Sequence, residues 1–210
     1  MPLISQEQVH PNAKLFVWKT AEAEAYFLSK LNLSDLELSR LKTFSHIPRR
    51  IEWLAARLLV KEYLGSMARV EYTEDGKPLL IGMDGHISIS HSGSLVGLLY
   101  SAVDMVGLDI ERISSRPAKI TKRFMKDEEV AFVEDDDSGK AITRAWCSKE
   151  ALFKVLGENH YELKEDFTLI ANISAGSSSA VFFVRPFVGN QEVSFLDIED
   201  YCIAFTVLHS

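Results

Sequence analysis

The sequence predicts an α+β protein built from two related halves that meet near residue 105. Three observations carry that expectation. The hydrophobic period switches between helical and extended along the chain. A helix-end pattern in the first half recurs in the second, and no Pro-rich or Gly/Ser-rich spacer divides the chain. The 210 residues, 47% hydrophobic, suffice for one large domain or two small ones packed together. The expected division is 1–105 and 106–210.

The elements follow in order. Residues 15–18 (LFVW) read as a short strand. Ser34-Asp35-Leu36-Glu37 has the form of a capping box, with Leu33 and Leu38 placed as a hydrophobic staple, so a helix starts there and runs toward Phe44. Residues 49–64 form a second helix, with Ile51, Leu54, Ala55, Leu58 and Leu59 on its buried face. Arg50, Arg57 and Lys61 line one edge of that face, and Gly65 stops the helix. Strands are expected at 71–73, 87–90, 95–103 and 106–110, with Asp104 and Met105 turning a hairpin between the last two. Residues 120–133 are helical in pattern, and the acidic run 134–139 breaks them as a solvated loop. A helix over 140–156 stops at Gly157, and strands return at 167–173, 180–187, 193–196 and 201–207. The recurring pattern is Arg57-Leu-Leu-Val-Lys61 before Leu64-Gly65, echoed by Glu150-Ala-Leu-Phe-Lys154 before Leu156-Gly157.

Composition narrows the function. A formal charge of −7 argues against a general nucleic-acid binder, while leaving room for a local basic site. Cys147 and Cys202 are far apart and form no CxxC pair, which argues against a disulfide framework or a structural zinc. Residues 1–14 lack the apolar run of a signal peptide, and no stretch is apolar for the length of a membrane span. The expectation is a soluble cytoplasmic protein with no membrane partner.

Candidate chemistry clusters in four places. Asp109 and Glu111 lie two apart on an expected strand, so both carboxylates share a face and suit a hard cation such as magnesium. Standing alone, that pair also fits a solvated strand edge, but its flanks Val106, Gly107, Leu108 and Ile110 are apolar. Glu150 and Lys154 share a helix face, which alone would fit a surface ion pair. They lie on the margin of an apolar arc made by Ala145, Trp146, Leu152, Phe153 and Leu156. Lys149 falls nearer the middle of that arc and must snorkel or find an acceptor. Ser90-His91-Ser92-Gly93 follows a strand, and His91 fits a phosphate donor, a general base or a structural histidine. Gly76-Lys77-Pro78 fits a plain turn. No Walker A loop, GxGxxG, HExxH or GxSxG is present.

In order, GKP at 76–78, SISHSG at 88–93, VGLDIE at 106–111 and WCSKEALFK at 146–154 strongly resemble the 4'-phosphopantetheinyl transferase family. The spacing is similar to the long, two-half type that includes the surfactin-synthetase activator. The resemblance covers 49–157 well and the ends in outline; Arg123-Phe124 followed by Glu128 is also similar. Leu108 replaces the more usual isoleucine, and Ser88 stands where an asparagine is common.

The resemblance implies two pseudo-symmetric α/β halves, each a small antiparallel-rich sheet packed on helices, with the active site in the cleft between them. It implies transfer of the 4'-phosphopantetheine arm from coenzyme A to a serine of an apo carrier protein. Asp109, Glu111 and Glu150 would hold Mg2+, with Glu150 as base. Lys154 and His91 would meet coenzyme A phosphates, Lys77 and Pro78 the adenine end, and Ser90 the bound nucleotide. Arg57 matches a common arginine of the family, and Arg49 and Arg50 are both candidates for the 3'-phosphate. The basic stretch Arg112, Arg116, Lys119, Lys122 and Arg123 is a candidate carrier surface, or else a solvated helix face. A monomer is the simplest expectation. The alternative functions are a non-catalytic coenzyme A or carrier-protein binding module and a magnesium-dependent pyrophosphate hydrolase.

Overall fold

The computed structural model describes residues 3–156, 161–185 and 188–209. Gly157, expected to stop a helix, and the 186–187 end of an expected strand lie outside the described residues. The chain is mixed α+β with antiparallel sheets, and it forms two compact units, Met1–Ala102 and Val103–Ser210.

Unit 1 contains a four-stranded antiparallel sheet in the order β1-β2-β6-β5. These strands are β1 (Leu3–His10), β2 (Ala13–Lys19), β5 (His86–Ser92) and β6 (Leu95–Ser101). Strand β2 is paired on both sides, and its Leu15, Phe16, Val17 and Trp18 are all buried. The helices are α1 (Glu24–Lys30), α2 (Asp35–Lys42) and the long α3 (Ile47–Leu64). Leu54, Leu58 and Leu59 of α3 join Trp18, Val96 and Leu98 of the sheet in one core. The capping box of α2 forms in full: Glu37 N–H donates to Ser34 Oγ at 3.3 Å, and Ser34 N–H donates to Glu37 Oε2 at 3.0 Å. Residues around Gly76 close a hairpin between β3 (Arg69–Tyr72) and β4 (Pro78–Ile81). Gly76 has φ +88, a left-handed conformation that glycine adopts without a Cβ clash.

Unit 2 contains a five-stranded antiparallel sheet in the order β7-β11-β10-β9-β8. In chain order these are β7 (Met105–Arg112), β8 (Phe167–Leu169), β9 (Ser179–Val184), β10 (Gly189–Ile198) and β11 (Tyr201–Leu208). The helix α6 (Lys140–Leu156) packs on β7 and β11. Two short helices precede it, α4 (Thr121–Phe124) and α5 (Asp127–Val130).

Three local expectations are corrected. The hairpin expected between 95–103 and 106–110 does not form: β6 and β7 belong to different sheets, and β7 pairs along its length with β11. Asp104 is not a solvated turn tip but 4% exposed, with His209 Nδ1 at 3.3 Å from its carboxylate. The single helix expected over 120–133 is broken at Met125 and Lys126, which are extended. There Glu129 turns inward and accepts the N–H groups of Lys126 and Leu169, so tertiary bonds win over local propensity. The acidic run is not merely solvated either. Asp136 caps α6 by accepting the N–H groups of Lys140 at 3.0 Å and Ala141 at 2.8 Å. Among the described residues, no helix is long and apolar enough to cross a membrane.

Candidate functional site

In unit 2 the carboxylates are set by the fit of α6 against β7. Gly107 permits that fit, because even a methyl group there would press on the Ala151 backbone and on Val155 Cβ. Asp109 stands on β7 opposite Ala204, and Glu111 opposite Cys202. Asp109 is 5% exposed and held at both oxygens. Lys154 Nζ lies 2.7 Å from Oδ1 and also donates to the Leu108 carbonyl at 3.0 Å, while Cys147 Sγ donates to Oδ2 at 3.1 Å. Thus Lys154 reaches across to β7. Burial, then contact with Cys202 and the charge of Asp109, push the Cys147 thiol well up, so it stays a protonated donor.

Glu111 and Glu150 feel the same negative charge. Burial, and second the Asp109 carboxylate, raise Glu111, against a 3.1 Å hydrogen bond from the Trp146 indole N–H. Burial, and second Asp109, push Glu150 up to about 7, opposed by Lys154. Among the described residues no group of three or more His, Cys, Asp or Glu side chains is gathered closely enough to hold a metal ion. Donor chemistry is the point of fit: all-oxygen carboxylate ligands suit a hard dication. Burial, and second the negative charge of Asp109, raises both Glu111 and Glu150, and an added positive charge would offset both effects. A cavity of about 110 Å³ opens beside Glu111, lined also by Arg116, Pro117, Ile120 and Trp146. Arg112, Arg116, Lys119, Lys122 and Arg123 are exposed, with Arg112 paired to Asp200 at 2.5 Å.

In unit 1 the three arginines separate. Arg49 contacts His91 Nε2 and pairs with Glu52 at 3.3 Å, and His91 Nδ1 lies 3.2 Å from the same Glu52 carboxylate. Arg50 points elsewhere, gripping Glu24 with two nitrogens at 2.5 and 2.9 Å and donating to the Leu41 carbonyl. Arg57 is 7% exposed, pairs with Glu37 at 3.0 Å and stacks 3.2 Å over the Trp53 ring. Ser90 is buried on β5 opposite Gly97, and Lys77 closes the β3–β4 turn by donating its N–H to Thr73 Oγ1 at 3.0 Å. Pro78 opens β4 opposite Tyr72.

A cavity of about 650 Å³ collects Arg40, Arg49 and Arg57 with the aromatic rings of Phe44, Trp53 and Tyr72. Sequence reasoning missed Arg40, Glu52 and Glu129. Arg40 shares the capped helix with Glu37 and Glu52 stands one turn past Arg49, so helical spacing was their available signal. Glu129 had none.

A family model described as the 4'-phosphopantetheinyl transferase superfamily matches residues 105–206, the segment holding the carboxylates. The chain is similar to the 4'-phosphopantetheinyl transferase AcpT of Salmonella typhimurium, 32% identical over 133 residues, 60% of this chain and 69% of the relative. It is also similar to the 4'-phosphopantetheinyl transferase gsp of Aneurinibacillus migulanus, 28% identical over 145 residues, 64% of this chain and 60% of the relative.

Proposed function

Because the chain belongs to the 4'-phosphopantetheinyl transferase superfamily and is a transferase of that kind, we propose that it moves the 4'-phosphopantetheine arm of coenzyme A onto a serine of an apo carrier protein. The observation that supports this most is the electrostatic coupling of Asp109, Glu111 and Glu150 around Lys154, inside the matched segment. The serine oxygen attacks the phosphorus nearer pantetheine, the bridging P–O bond breaks, and 3',5'-bisphosphoadenosine leaves. Such transfers depend mainly on positioning and charge neutralisation.

Asp109, Glu111 and Glu150 are the residues that would hold magnesium. When bound, it supplies charge neutralisation at the pyrophosphate oxygens. Glu150 accepts the serine proton. In the metal-free protein burial, and second Asp109, hold this carboxylate at about 7, and a bound cation would lower it, so that it would be ionised and able to accept the proton at neutral pH. Lys154 turns from Asp109 toward phosphate, where a compact ammonium acts as a point charge. In unit 1, Arg49 and Arg40 are the cations offered to the phosphates, with His91 as a ring N–H donor to them, and Phe44 and Tyr72 flank the adenine with Lys77 and Pro78. Ser90 lies near the nucleotide. Arg57 and Arg50 act chiefly as supports, since Glu37 and Glu24 already pair with them. The exposed cations Lys119, Lys122 and Arg123 are offered to an acidic carrier, where charge complementarity speeds encounter.

Mass spectrometry of an apo acyl carrier protein incubated with this protein, coenzyme A and magnesium tests the reading. A gain of one phosphopantetheine arm, absent with Glu150→Gln or with chelator, is the expected result. Coenzyme A cleavage without a carrier would favour the hydrolase. Tight binding with no product across several carriers would favour the binding module.

A further inference from the structure

Unit 2 contains a buried ion pair that the proposed reaction does not use. Lys149 and Glu129 are both fully buried. The Lys149 ammonium donates to the Phe124 carbonyl at 2.6 Å and lies 2.8 and 3.0 Å from the two Glu129 oxygens. Glu129 further accepts the Leu169 N–H at 2.7 Å and the Lys126 N–H at 2.8 Å. One pair of side chains therefore joins α6, the turn between α4 and α5, and β8. Apolar packing in place of such a pair is often neutral or stabilising, so stability alone gives no reason for it.

Its location gives one. Lys149 immediately precedes Glu150, and Trp146 stands three residues before Lys149 on the same helix face. Both reach Phe124: Lys149 holds its carbonyl, and the Trp146 ring meets its ring edge-on at 5.0 Å. The Trp146 indole then donates to Glu111 Oε1. A continuous run of contacts thus leads from Glu129 through Lys149, Phe124 and Trp146 to Glu111.

We propose that Glu129 and Lys149 are positioning residues, whose buried pair fixes Phe124 and the rotation of α6 and thereby aims the carboxylates of Glu111 and Glu150. The inference rests on the reading that those carboxylates serve phosphopantetheinyl transfer. Such supporting partners typically carry about 10–100-fold in metal affinity or activity.

The test compares Lys149→Met, Glu129→Gln and the double variant, which removes both charges and keeps an oxygen acceptor for the Leu169 N–H. Each is measured for Tm, for Mn2+ affinity by spin resonance, and for kcat and coenzyme A KM with an apo carrier. Each single variant should lose Tm, since it strands a buried charge. The double variant should recover Tm, yet keep kcat and Mn2+ affinity lowered by about 10–100-fold, with the KM for coenzyme A near wild type. If Tm, kcat and Mn2+ affinity all recover together, the pair is only structural and the proposal is overturned. Should the charge variants fail to fold, Phe124→Leu keeps the carbonyl acceptor and removes the ring edge from Trp146. Wild-type kcat and Mn2+ affinity in that variant would overturn the proposal equally. An active wild type with unaffected variants removes the inference alone. A wild type that transfers to no carrier, yet binds Mn2+ more tightly than its variants, removes the transferase reading and leaves the positioning role standing.

Discussion

Gly107 is the residue on which α6 rests, and Gly107→Ala asks how closely the helix must sit. The added methyl carbon would lie 3.0 Å from the Ala151 carbonyl carbon and 3.0 Å from Val155 Cβ, and closer still to the Ala151 oxygen. Non-bonded carbons rest at about 3.5–4.0 Å, so α6 must back away from β7 by about 1 Å. Two effects then compete. Removing a glycine from a strand interior favours folding by about 0.5–1 kcal/mol. Overpacking a buried contact costs about 1–3 kcal/mol. Overpacking wins, because the obstacles are helix backbone and a β-branched Cβ, which cannot rotate aside. A net loss of about 1–2 kcal/mol lowers Tm by roughly 2–8 °C in a chain of this size. The effect on rate is larger, since α6 carries Glu150 and Lys154: a displacement of about 1 Å costs on the order of 100-fold in kcat/KM. Thermal melts and initial rates of carrier modification measure the two together. Gly176→Ala is the control, since its new methyl meets nothing closer than Ser174 Oγ at 3.8 Å. A Gly107→Ala protein with wild-type Tm and rate would refute the claim that this contact sets the site.

The other predictions concern titration, the nucleotide cations and the cap. Glu150 sits near 7 in the folded protein, above its ordinary 4.5, because burial and then Asp109 disfavour its charge. Folded protein therefore keeps a proton that the unfolded chain has released, and metal-free protein should lose stability as pH rises from 4.5 to about 7. Glu150→Gln should flatten that slope in pH-dependent melts; transfer should rise as the carboxylate forms, and magnesium should move the midpoint lower. A transfer rate, measured with magnesium, that does not vary anywhere between pH 4.5 and about 7 would count against Glu150 as base. Arg49→Ala should raise the coenzyme A KM about tenfold, the worth of one charged hydrogen bond, whereas Arg50→Ala should lower Tm and leave KM alone; steady-state kinetics showing the reverse would give the phosphate to Arg50. Ser34→Ala should cost about 1 kcal/mol in urea unfolding, and Glu37→Ala more, because Glu37 both closes the cap and pairs with buried Arg57. Equal losses would mean that the ion pair contributes nothing.

What the sequence made legible was set by local physics. The capping box at Ser34 and Glu37 and the span of α6 were readable because neighbours along the chain dictate them. Strand β1 was not, since its face is largely solvated and its residues 3–10 show no clear apolar alternation. Pairing was not legible either: β7 follows β6 in the chain, yet takes β11 as its partner from far along the sequence. At the site, residue types and spacing singled out Asp109, Glu111, Glu150 and Lys154. They did not say that Lys154 would reach Asp109, or that Cys147 would hold the other oxygen of that carboxylate.

Lys149 shows why local reading stops where it does. Its place near the middle of an apolar helix face required that it find an acceptor or snorkel, and that much follows from helical spacing. The acceptor, Glu129, lies 20 residues earlier, in a segment whose own pattern reads as one uninterrupted helix. For Glu129 to turn inward, the chain must leave the helix at Met125 and Lys126, so that the Lys126 N–H and the Leu169 N–H both reach its carboxylate. The broken helix and the unexplained lysine are therefore one event. A fully buried lysine and a fully buried glutamate would each be costly alone. Only when α6, the α4–α5 turn and β8 are assembled do they cancel, which ties the shape of that turn to the helix that carries Glu150.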